Sequence, residues 1–262
     1  MHFLTSINPL YSISGFLVGA LVGLTGVGGG ALMTPLLVLL FGIHADTAVG
    51  TDLLYAAATK SVGTAVHGAS GTVDWGIVGR LAAGSVPATV LTLLILARFK
   101  QNVGGANHVI TIVLGFALIA TAIAILFRRI ILEFFNKRVG ALDPGRTTAF
   151  TVLLGAILGV LVSLSSVGAG AIGVTVLLIL YPSLPVGKLV GSDIAHAVPL
   201  TFIAGVGHWL IGTVNFQLLI SLLAGSIPGI IIGSLISSRV PDRMLRPILA
   251  STLAIVGGKL AF

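Results

Sequence analysis

Charged side chains are almost absent from several stretches of about 20 residues in this sequence, and no other feature restricts the fold as strongly. A soluble domain carries about 25% charged residues, whereas this chain carries 8%. Too few polar residues remain to cover a water-facing surface, so lipid must be the solvent for most of it. A helix needs ~20 apolar residues to cross the hydrocarbon core. The sequence therefore predicts an all-α, polytopic integral membrane protein.

The net charge of +7 does not indicate a nucleic-acid partner. The basic residues form clusters between apolar stretches, near residues 98–100, 128–146 and 239–246. This distribution is typical of membrane proteins under the positive-inside rule. Cysteine is absent, which excludes a disulfide framework and a cysteine-type zinc site. We expect the lipid bilayer to be a partner of the chain, and we expect no nucleic acid, no cofactor and no metal.

An internal repeat organises the chain. Residues 15–31 align with residues 155–171 at an offset of 140. Further along, Val49-Gly50-Thr51-Asp52 matches Val190-Gly191-Ser192-Asp193 at an offset of 141. The same register pairs His67 with His208 and Pro87 with Pro228. Chance apolar similarity would not keep Asp, His and Pro in register, so the sequence predicts two homologous repeats.

The repeats divide the chain into a first membrane repeat at 11–127, a basic connecting loop at 128–148 and a second membrane repeat at 149–262. Each repeat begins with two short apolar segments separated by a glycine-rich break, and three full-length spans follow. The short segments are predicted at 11–25, 31–43, 149–164 and 171–181. The pattern is typical of paired broken helices.

The number of elements decides how the repeats are oriented. Five elements are an odd number, which would invert the second repeat relative to the first. If each broken pair counts as one span, the repeats are four plus four and parallel. We favour the inverted arrangement, because it places the basic residues of 128–148 and 239–246 on one side of the membrane.

The two breaks are the predicted substrate site. Unwound backbone at membrane depth is tolerated only where it is buried in protein or lines a watery cavity. The helix that follows each break presents free N–H groups and a positive dipole end, which together favour an anion. The alternative is that the glycines only allow close helix packing. The predicted substrate-binding residues at the breaks are Thr25, Gly28, Gly29, Gly30, Ser165, Ser166, Gly168 and Gly170. A G-x-G-x-x-A pattern also occurs there, but a dinucleotide site needs a βαβ unit, which this sequence does not offer.

Lys60 is the candidate cation for an anionic substrate. It lies eight residues after Asp52, about two helical turns on, and therefore on the same face of the helix. No acidic residue lies near it in sequence. Its repeat mate is Thr201, so the pseudo-symmetry is broken at this position, as a single substrate in a two-fold site would require.

The other ionisable residues within apolar segments are candidates for proton coupling, because burying a charge in a span costs ~2.5–3.5 kcal/mol or more. Asp52 and Asp193 are predicted to begin helices, where they either exchange protons or act as N-terminal caps. His196 either relays a proton or bonds to a backbone carbonyl. His67 and His208 precede short loops, where we expect them to anchor the interface.

At these motifs the chain resembles the TauE/SafE family of membrane permeases. The resemblance is carried by the glycine-rich stretch from Gly15 to Gly30, Thr34-Pro35, Val49-Gly50-Thr51-Asp52 and the turn Gly71-x-Val73-Asp74, and it extends over nearly the whole chain. It implies proton-linked secondary transport of small sulfur-containing anions such as sulfite, sulfonates, sulfoacetate or thiosulfate. The second repeat departs from the first, with Ser166 and Ala169 standing where the first has Gly26 and Gly29.

Three classes of function remain open at the level of sequence: a secondary transporter, a passive anion channel and a membrane enzyme. The sequence has no HExxH motif, no paired aspartates on one span and no G-x-S-x-G motif, so we expect no enzyme and no catalytic residues. We favour a transporter of a small anion, with protons as the coupling ion, in a bacterial or archaeal plasma (inner) membrane. The sequence leaves a homodimer open.

Overall fold

The computed structural model describes residues 8–25, 30–69, 71–102, 106–138, 143–236 and 242–261. These residues form helices joined by short turns, without strands, which confirms the predicted all-α class. The helices are α1 (Pro9–Thr25), α2 (Gly30–Leu39), α3 (Ala45–Ala69), α4 (Trp75–Asn102), α5 (Ala106–Leu126), α6 (Arg128–Arg138), α7 (Pro144–Ser165), α8 (Ala171–Leu180), α9 (Val186–Ile211), α10 (Phe216–Ile236) and α11 (Asp242–Ala261).

Five of the described helices contain segments long and apolar enough to cross a membrane. These segments are Trp75–Arg98, His108–Leu126, Pro144–Ser165, Val186–Ile211 and Phe216–Gly233. The chain is thus a multi-pass membrane protein.

The segment predicted to be short at 149–164 belongs to a full-length helix of 22 residues, α7, so that prediction was wrong. Asp143 caps α7 by accepting a hydrogen bond from the Gly145 N–H at 3.1 Å, and Pro144 occupies the first turn, where its missing N–H does no harm. The hydroxyls of Thr147 and Thr148 bond to carbonyls four residues earlier, which lets these polar residues lie within the helix.

The sequence predicted a loop at 128–148, but this connecting segment is largely helical in the structure. It contains α6 and the first residues of α7, while residues 139–142 lie outside the described part of the chain. α6 is amphipathic: Arg129 and Glu133 form an ion pair at 2.8 Å on its exposed face, and Ile131 and Phe135 line an apolar cavity on the other.

Small residues allow the helices to pack closely in reciprocal pairs. α1 packs along α10, and α4 packs along α7. Gly15 of α1 lies against the Leu222 carbonyl, and its repeat mate Gly155 lies against the Leu81 carbonyl. At both positions a Cβ atom would overlap the neighbouring backbone, which is the close approach that small residues permit in membrane helices.

The mates α3 and α9 pack against each other and run in opposite directions. Gly50 lies near the start of α3 and contacts Thr213, just after the end of α9. In the same way, Gly191 lies near the start of α9 and contacts Thr72, just after the end of α3. Two hydrogen bonds repeat this exchange: the Asp74 N–H donates to Ser192 Oγ at 2.8 Å, and the Asn215 N–H donates to Thr51 Oγ1 at 3.1 Å. An inverted repeat requires this antiparallel course. The limits of the two repeats stay a prediction.

Candidate functional site

The break between α7 and α8 lies at the centre of a group of buried polar residues. Ser166 ends α7 in the left-handed conformation (φ 57°), with its N–H donating to the Val162 carbonyl. Gly168 and Gly170 follow with φ values of 121° and 118°, which side chains rarely allow. α8 begins directly afterwards, so its N-terminus opens into the break.

The break of the first repeat is described only at its edges. Thr25 ends α1 and Gly30 begins α2, whereas Gly28 and Gly29 lie outside the described residues. Their predicted role in substrate binding therefore stays a prediction.

Asp52 lies seven residues after the start of α3 and is fully buried, so the interpretation as an N-terminal cap was wrong. Its Oδ2 accepts a hydrogen bond from the Thr34 hydroxyl of α2. The Ser166 side chain at the other repeat's break faces the same carboxylate. Asp52 Oδ1 and Ser166 Oγ nevertheless have no hydrogen-bond partner among the described residues. These two buried polar groups at the break face each other without a well-formed hydrogen bond, so they are candidates for binding a ligand.

Asp193 also lies seven residues into its helix, α9, and is not a cap either. It is 1% exposed, and the backbone N–H of Gly170 points at its carboxylate. Gly173 in the first turn of α8 lies so close to Asp193 Oδ1 that a Cβ atom would overlap this oxygen. The N-terminus predicted to hold a substrate anion therefore faces a carboxylate of the protein itself.

Lys60 interacts with both carboxylates. It is 9% exposed, and its ammonium interacts electrostatically with Asp193 most strongly and then with Asp52. Neither carboxylate pairs with it within 4.0 Å among the described residues. Its mate Thr201 instead bonds to the Ala197 carbonyl of its own helix at 2.8 Å. One cation thus faces two anionic groups in an apolar surrounding, where charge interactions are strong.

His196 lies one turn after Asp193 and is fully buried. Its Nε2 lies 2.8 Å from the Ser85 hydroxyl of α4, while Nδ1 has no partner among the described residues. The alternative of a bond to a backbone carbonyl is not what the structure shows. At the mate positions, Tyr55 of α3 faces Ser226 of α10. The sequence analysis missed Ser85, Tyr55 and Ser226. The offset of 141 pairs Ser85 with Ser226 and Tyr55 with His196.

Two further predicted residues are used within the protein. Ser165 donates to the Leu161 carbonyl at 2.6 Å and accepts from the Val167 N–H at 3.2 Å, so its hydroxyl stabilises the break. His208 is buried and its ring contacts Thr213 Oγ1 at 2.9 Å and the Ser163 carbonyl at 2.8 Å. The prediction that His208 anchors the interface was wrong, because this ring ties α9 to the last turn of α7. The His67 side chain lies outside the described residues.

The structure thus brings Lys60, Asp52, Asp193, Ser166 and Gly170 together at one break. The group offers an ammonium, a hydroxyl and a helix N-terminus to an anion, and it offers carboxylates to protons. Within the described ranges, no cluster of three His, Asp or Glu residues is arranged to hold a metal ion. A cavity of about 560 Å³ bounded by α5, α6, α7 and α8 is lined by apolar side chains and Thr175 and includes none of these five residues.

Known proteins resemble this chain over almost its full length. It is 40% identical over 249 residues to the "Probable membrane transporter protein YjnA" of Bacillus subtilis (strain 168), covering 95% of this chain and 97% of that protein. It is 31% identical to the "Probable membrane transporter protein YdhB" of the same organism, with coverages of 94% and 97%. The "Probable membrane transporter protein MJ0441" of Methanocaldococcus jannaschii is 26% identical, with coverages of 95% and 93%. No solved structure matches the chain.

The family described as "Sulfite exporter TauE/SafE" matches residues 11–260. Together with the apolar helices and the relatives named as membrane transporters, this match establishes what kind of protein the chain is. The chain belongs to the TauE/SafE family and is a membrane transporter.

Proposed function

We propose that the protein is a secondary transporter that moves small sulfur-containing anions, of the sulfite, sulfonate, sulfoacetate or thiosulfate class, across a bacterial or archaeal plasma membrane. The observation that carries the proposal is the position of Lys60, a buried cation beside the break and the N-terminus of α8. The family description, which names sulfite export, supports the substrate class. Relatives in a bacterium and an archaeon support the membrane.

The break supplies the groups that recognise an oxyanion. The Lys60 ammonium attracts its charge, and the N-terminus of α8 adds N–H donors and the positive end of a helix dipole. Ser166 adds a buried hydroxyl without a hydrogen-bond partner among the described residues. Transporters with broken helices place their substrates at such sites, because the unwound backbone there is free to bind.

The buried charges support the proposal of proton linkage. Asp52, Asp193 and Lys60 bring two negative charges and one positive charge into the protein interior, and a substrate anion adds a further negative charge. Binding is more favourable when a carboxylate takes up a proton, because the protein interior screens charge poorly. We propose Asp52 and Asp193 as the proton acceptors, with His196 as a relay one turn from Asp193.

Thermal unfolding of the purified protein tests the substrate class. Sulfite, thiosulfate, sulfoacetate and taurine are compared with neutral solutes of similar size at equal ionic strength. A ligand present at about 100 times its Kd stabilises the folded state by roughly 2.7 kcal/mol. We expect at least one sulfur anion to raise the melting temperature and the neutral solutes to leave it unchanged. Stabilisation by none of the anions would contradict the proposed substrate class.

Counterflow in proteoliposomes separates a transporter from the alternative, a passive anion channel. Vesicles loaded with unlabelled anion are diluted into a trace of labelled anion. A transporter accumulates the label transiently, because influx and efflux share one binding site. A channel only equilibrates the label with the outside. We expect accumulation, and simple equilibration would favour the channel.

A further inference from the structure

We propose that Asp193 is an internal competitor of the substrate: its carboxylate and the transported anion bind the same donors in turn, and a proton on Asp193 releases these donors. This inference rests on the proposed function and deepens it, since it assigns the exchange between proton and anion to one of two equivalent aspartates.

The first shared donor is the N-terminus of α8. The Gly170 N–H lies close enough to the Asp193 carboxylate to interact with its negative charge. Gly173, one turn further into α8, leaves the space that Asp193 Oδ1 occupies. A carboxylate at this place has the charge and donor requirements of a small oxyanion, so the two cannot occupy it together. Asp193 Oδ1 has no hydrogen-bond partner among the described residues, which means that its present place does not satisfy it fully.

The second shared donor is Lys60. Asp193 is the group with which the Lys60 ammonium interacts most strongly. No ion pair within 4.0 Å fixes the ammonium among the described residues, so it is free to turn from the carboxylate to a bound anion. When Asp193 is neutral, less negative charge remains near the Lys60 ammonium. A bound substrate anion would then supply the missing negative charge.

The surroundings of Asp193 contain few other charges. From α3, Lys60 and Asp52 face this region, and His196 follows on α9 itself. α8 carries no ionisable side chain. Arg80 of α4 is directed to the Tyr181 hydroxyl at 3.1 Å on the exposed side of the protein. The pH dependence of anion binding is therefore expected to follow Asp193 and its response to Lys60.

Asp52 is differently engaged, although it is the repeat mate of Asp193. Its carboxylate accepts from the hydroxyl of Thr34 in α2, interacts with the Thr34 backbone N–H and faces Ser166. Protonating Asp52 would therefore release groups of α2 and Ser166, and not the N-terminus of α8. The competition for the α8 N-terminus belongs to Asp193.

The charges balance over one cycle. On the side of uptake, a proton from water neutralises Asp193, and one anion binds to Lys60 and the α8 N-terminus. On the side of release, the anion leaves, the proton returns to water and the carboxylate takes back its donors. One proton accompanies each anion, so a monovalent anion moves without net charge.

The test uses the full-length purified protein and thiosulfate, whose charge is constant between about pH 5 and 8. In the wild type, we expect the affinity for thiosulfate to fall as the pH rises, by up to about tenfold per pH unit. Asp193→Asn removes the competing charge and keeps the shape of the side chain. We expect this variant to bind thiosulfate at pH 8 about as tightly as the wild type binds it at pH 5, with most of the pH dependence lost. Asp193→Ser provides a second neutral side chain if the asparagine variant fails to fold.

Two controls isolate the effect. Asp74→Asn removes a carboxylate that lies 3.6 Å from the Lys188 Nζ, is 31% exposed and is not one of the residues at the break, so it should keep the pH slope of the wild type. Asp52→Asn removes the other proposed proton acceptor and should lower the slope less than Asp193→Asn does, because it vacates no place at the N-terminus of α8. A larger loss of slope in Asp52→Asn than in Asp193→Asn, or a wild-type slope in both Asp193 variants, would overturn the inference. Failure of the sulfur anions to bind any variant, the wild type included, would instead contradict the proposed substrate class.

Discussion

Individual buried polar residues differ in whether their hydrogen-bonding groups are satisfied. Ser163, Thr175 and Thr201 each donate to a carbonyl four residues earlier in the same helix, so their hydroxyls need no partner from elsewhere. Asp52 and Asp193, by contrast, each keep a buried carboxylate oxygen without a partner among the described residues. An unsatisfied buried polar group lowers the stability of the folded protein by about 1–3 kcal/mol, and a charged group lowers it further. Such groups therefore mark a place where function outweighs stability.

The ionisable members of the site could be predicted from the sequence, because Lys60, Asp52 and Asp193 each interrupt an apolar segment. The hydroxyl members could not. Thr34 and Ser85 look the same in sequence as the threonines and serines that bond to their own helix. Only the packing of α2 against α3 and of α4 against α9 brings these hydroxyls to Asp52 and His196.

Replacing Lys60 separates its charge from its shape. We expect Lys60→Gln to weaken binding of a sulfur anion by about 2–5 kcal/mol, because a desolvated ion pair is lost. Lys60→Arg keeps the charge and should weaken binding less. Titration of the detergent-solubilised variants measures both effects. Lys188→Gln is the matched control, since Lys188 is 37% exposed and pairs with Asp74. Wild-type affinity in Lys60→Gln would exclude Lys60 from the site.

At the scale of the helices, the backbone sets the position of the site. The sequence predicted a break between two helices at 165–170, and α7 and α8 end and begin at its edges. It did not predict the full length of α7, because a run of threonines and an arginine after Pro144 looks like loop when only apolar residues are counted. The cap at Asp143 and the bonds from threonine hydroxyls to carbonyls extend the helix through this polar stretch.

The glycine before α8 tests the role of the break. Gly170 has φ 118°, a conformation that costs about 1–3 kcal/mol for other residues. We expect Gly170→Leu to abolish uptake in proteoliposomes while the protein still inserts, because leucine is compatible with lipid but would strain and block the N-terminus of α8. Gly187→Ala is the control, since nothing lies within 4 Å of an added Cβ atom. Near-normal uptake by Gly170→Leu would leave close packing as the role of this glycine.

The close helix contacts predict a different effect for other glycines. A Cβ atom at Gly84 would overlap the Val152 carbonyl, and one at its mate Gly225 would overlap the Ser12 carbonyl. We expect Gly84→Ala and Gly225→Ala each to lower the free energy of unfolding by about 1–3 kcal/mol through overpacking. Thermal unfolding in detergent measures this loss. Gly79→Ala, with open space at its Cβ position, should unfold like the wild type.

For the whole molecule, composition was sufficient to predict a helical membrane protein, but it could not fix how the two halves face each other. Counting elements left an inverted and a parallel arrangement open. The contacts of Gly50 with Thr213 and of Gly191 with Thr72 show mates that run antiparallel. No local pattern contains this information, because residues more than 100 positions apart create it.

Single cysteines test the inverted arrangement. The chain contains no cysteine, so each label reports on one position. Val73→Cys lies in the turn between α3 and α4, and Val214→Cys lies in the matching turn between α9 and α10. We expect a membrane-impermeant thiol reagent to label them from opposite sides of the membrane. Labelling of both positions from the same side would contradict inversion and favour parallel repeats.

The single lysine at the break also shows what joining the two repeats in one chain makes possible. Two identical halves assembled as a dimer carry every group in duplicate, so their shared site always holds equal numbers of aspartates and lysines if each half has one of each. In the joined chain, position 60 is lysine while its mate is Thr201, and both aspartates remain. An odd number of charges becomes available at the pseudo-two-fold centre. With all three groups ionised their net charge is −1, so a single proton makes the group neutral. Two identical halves with one aspartate and one lysine each are already neutral before a proton arrives.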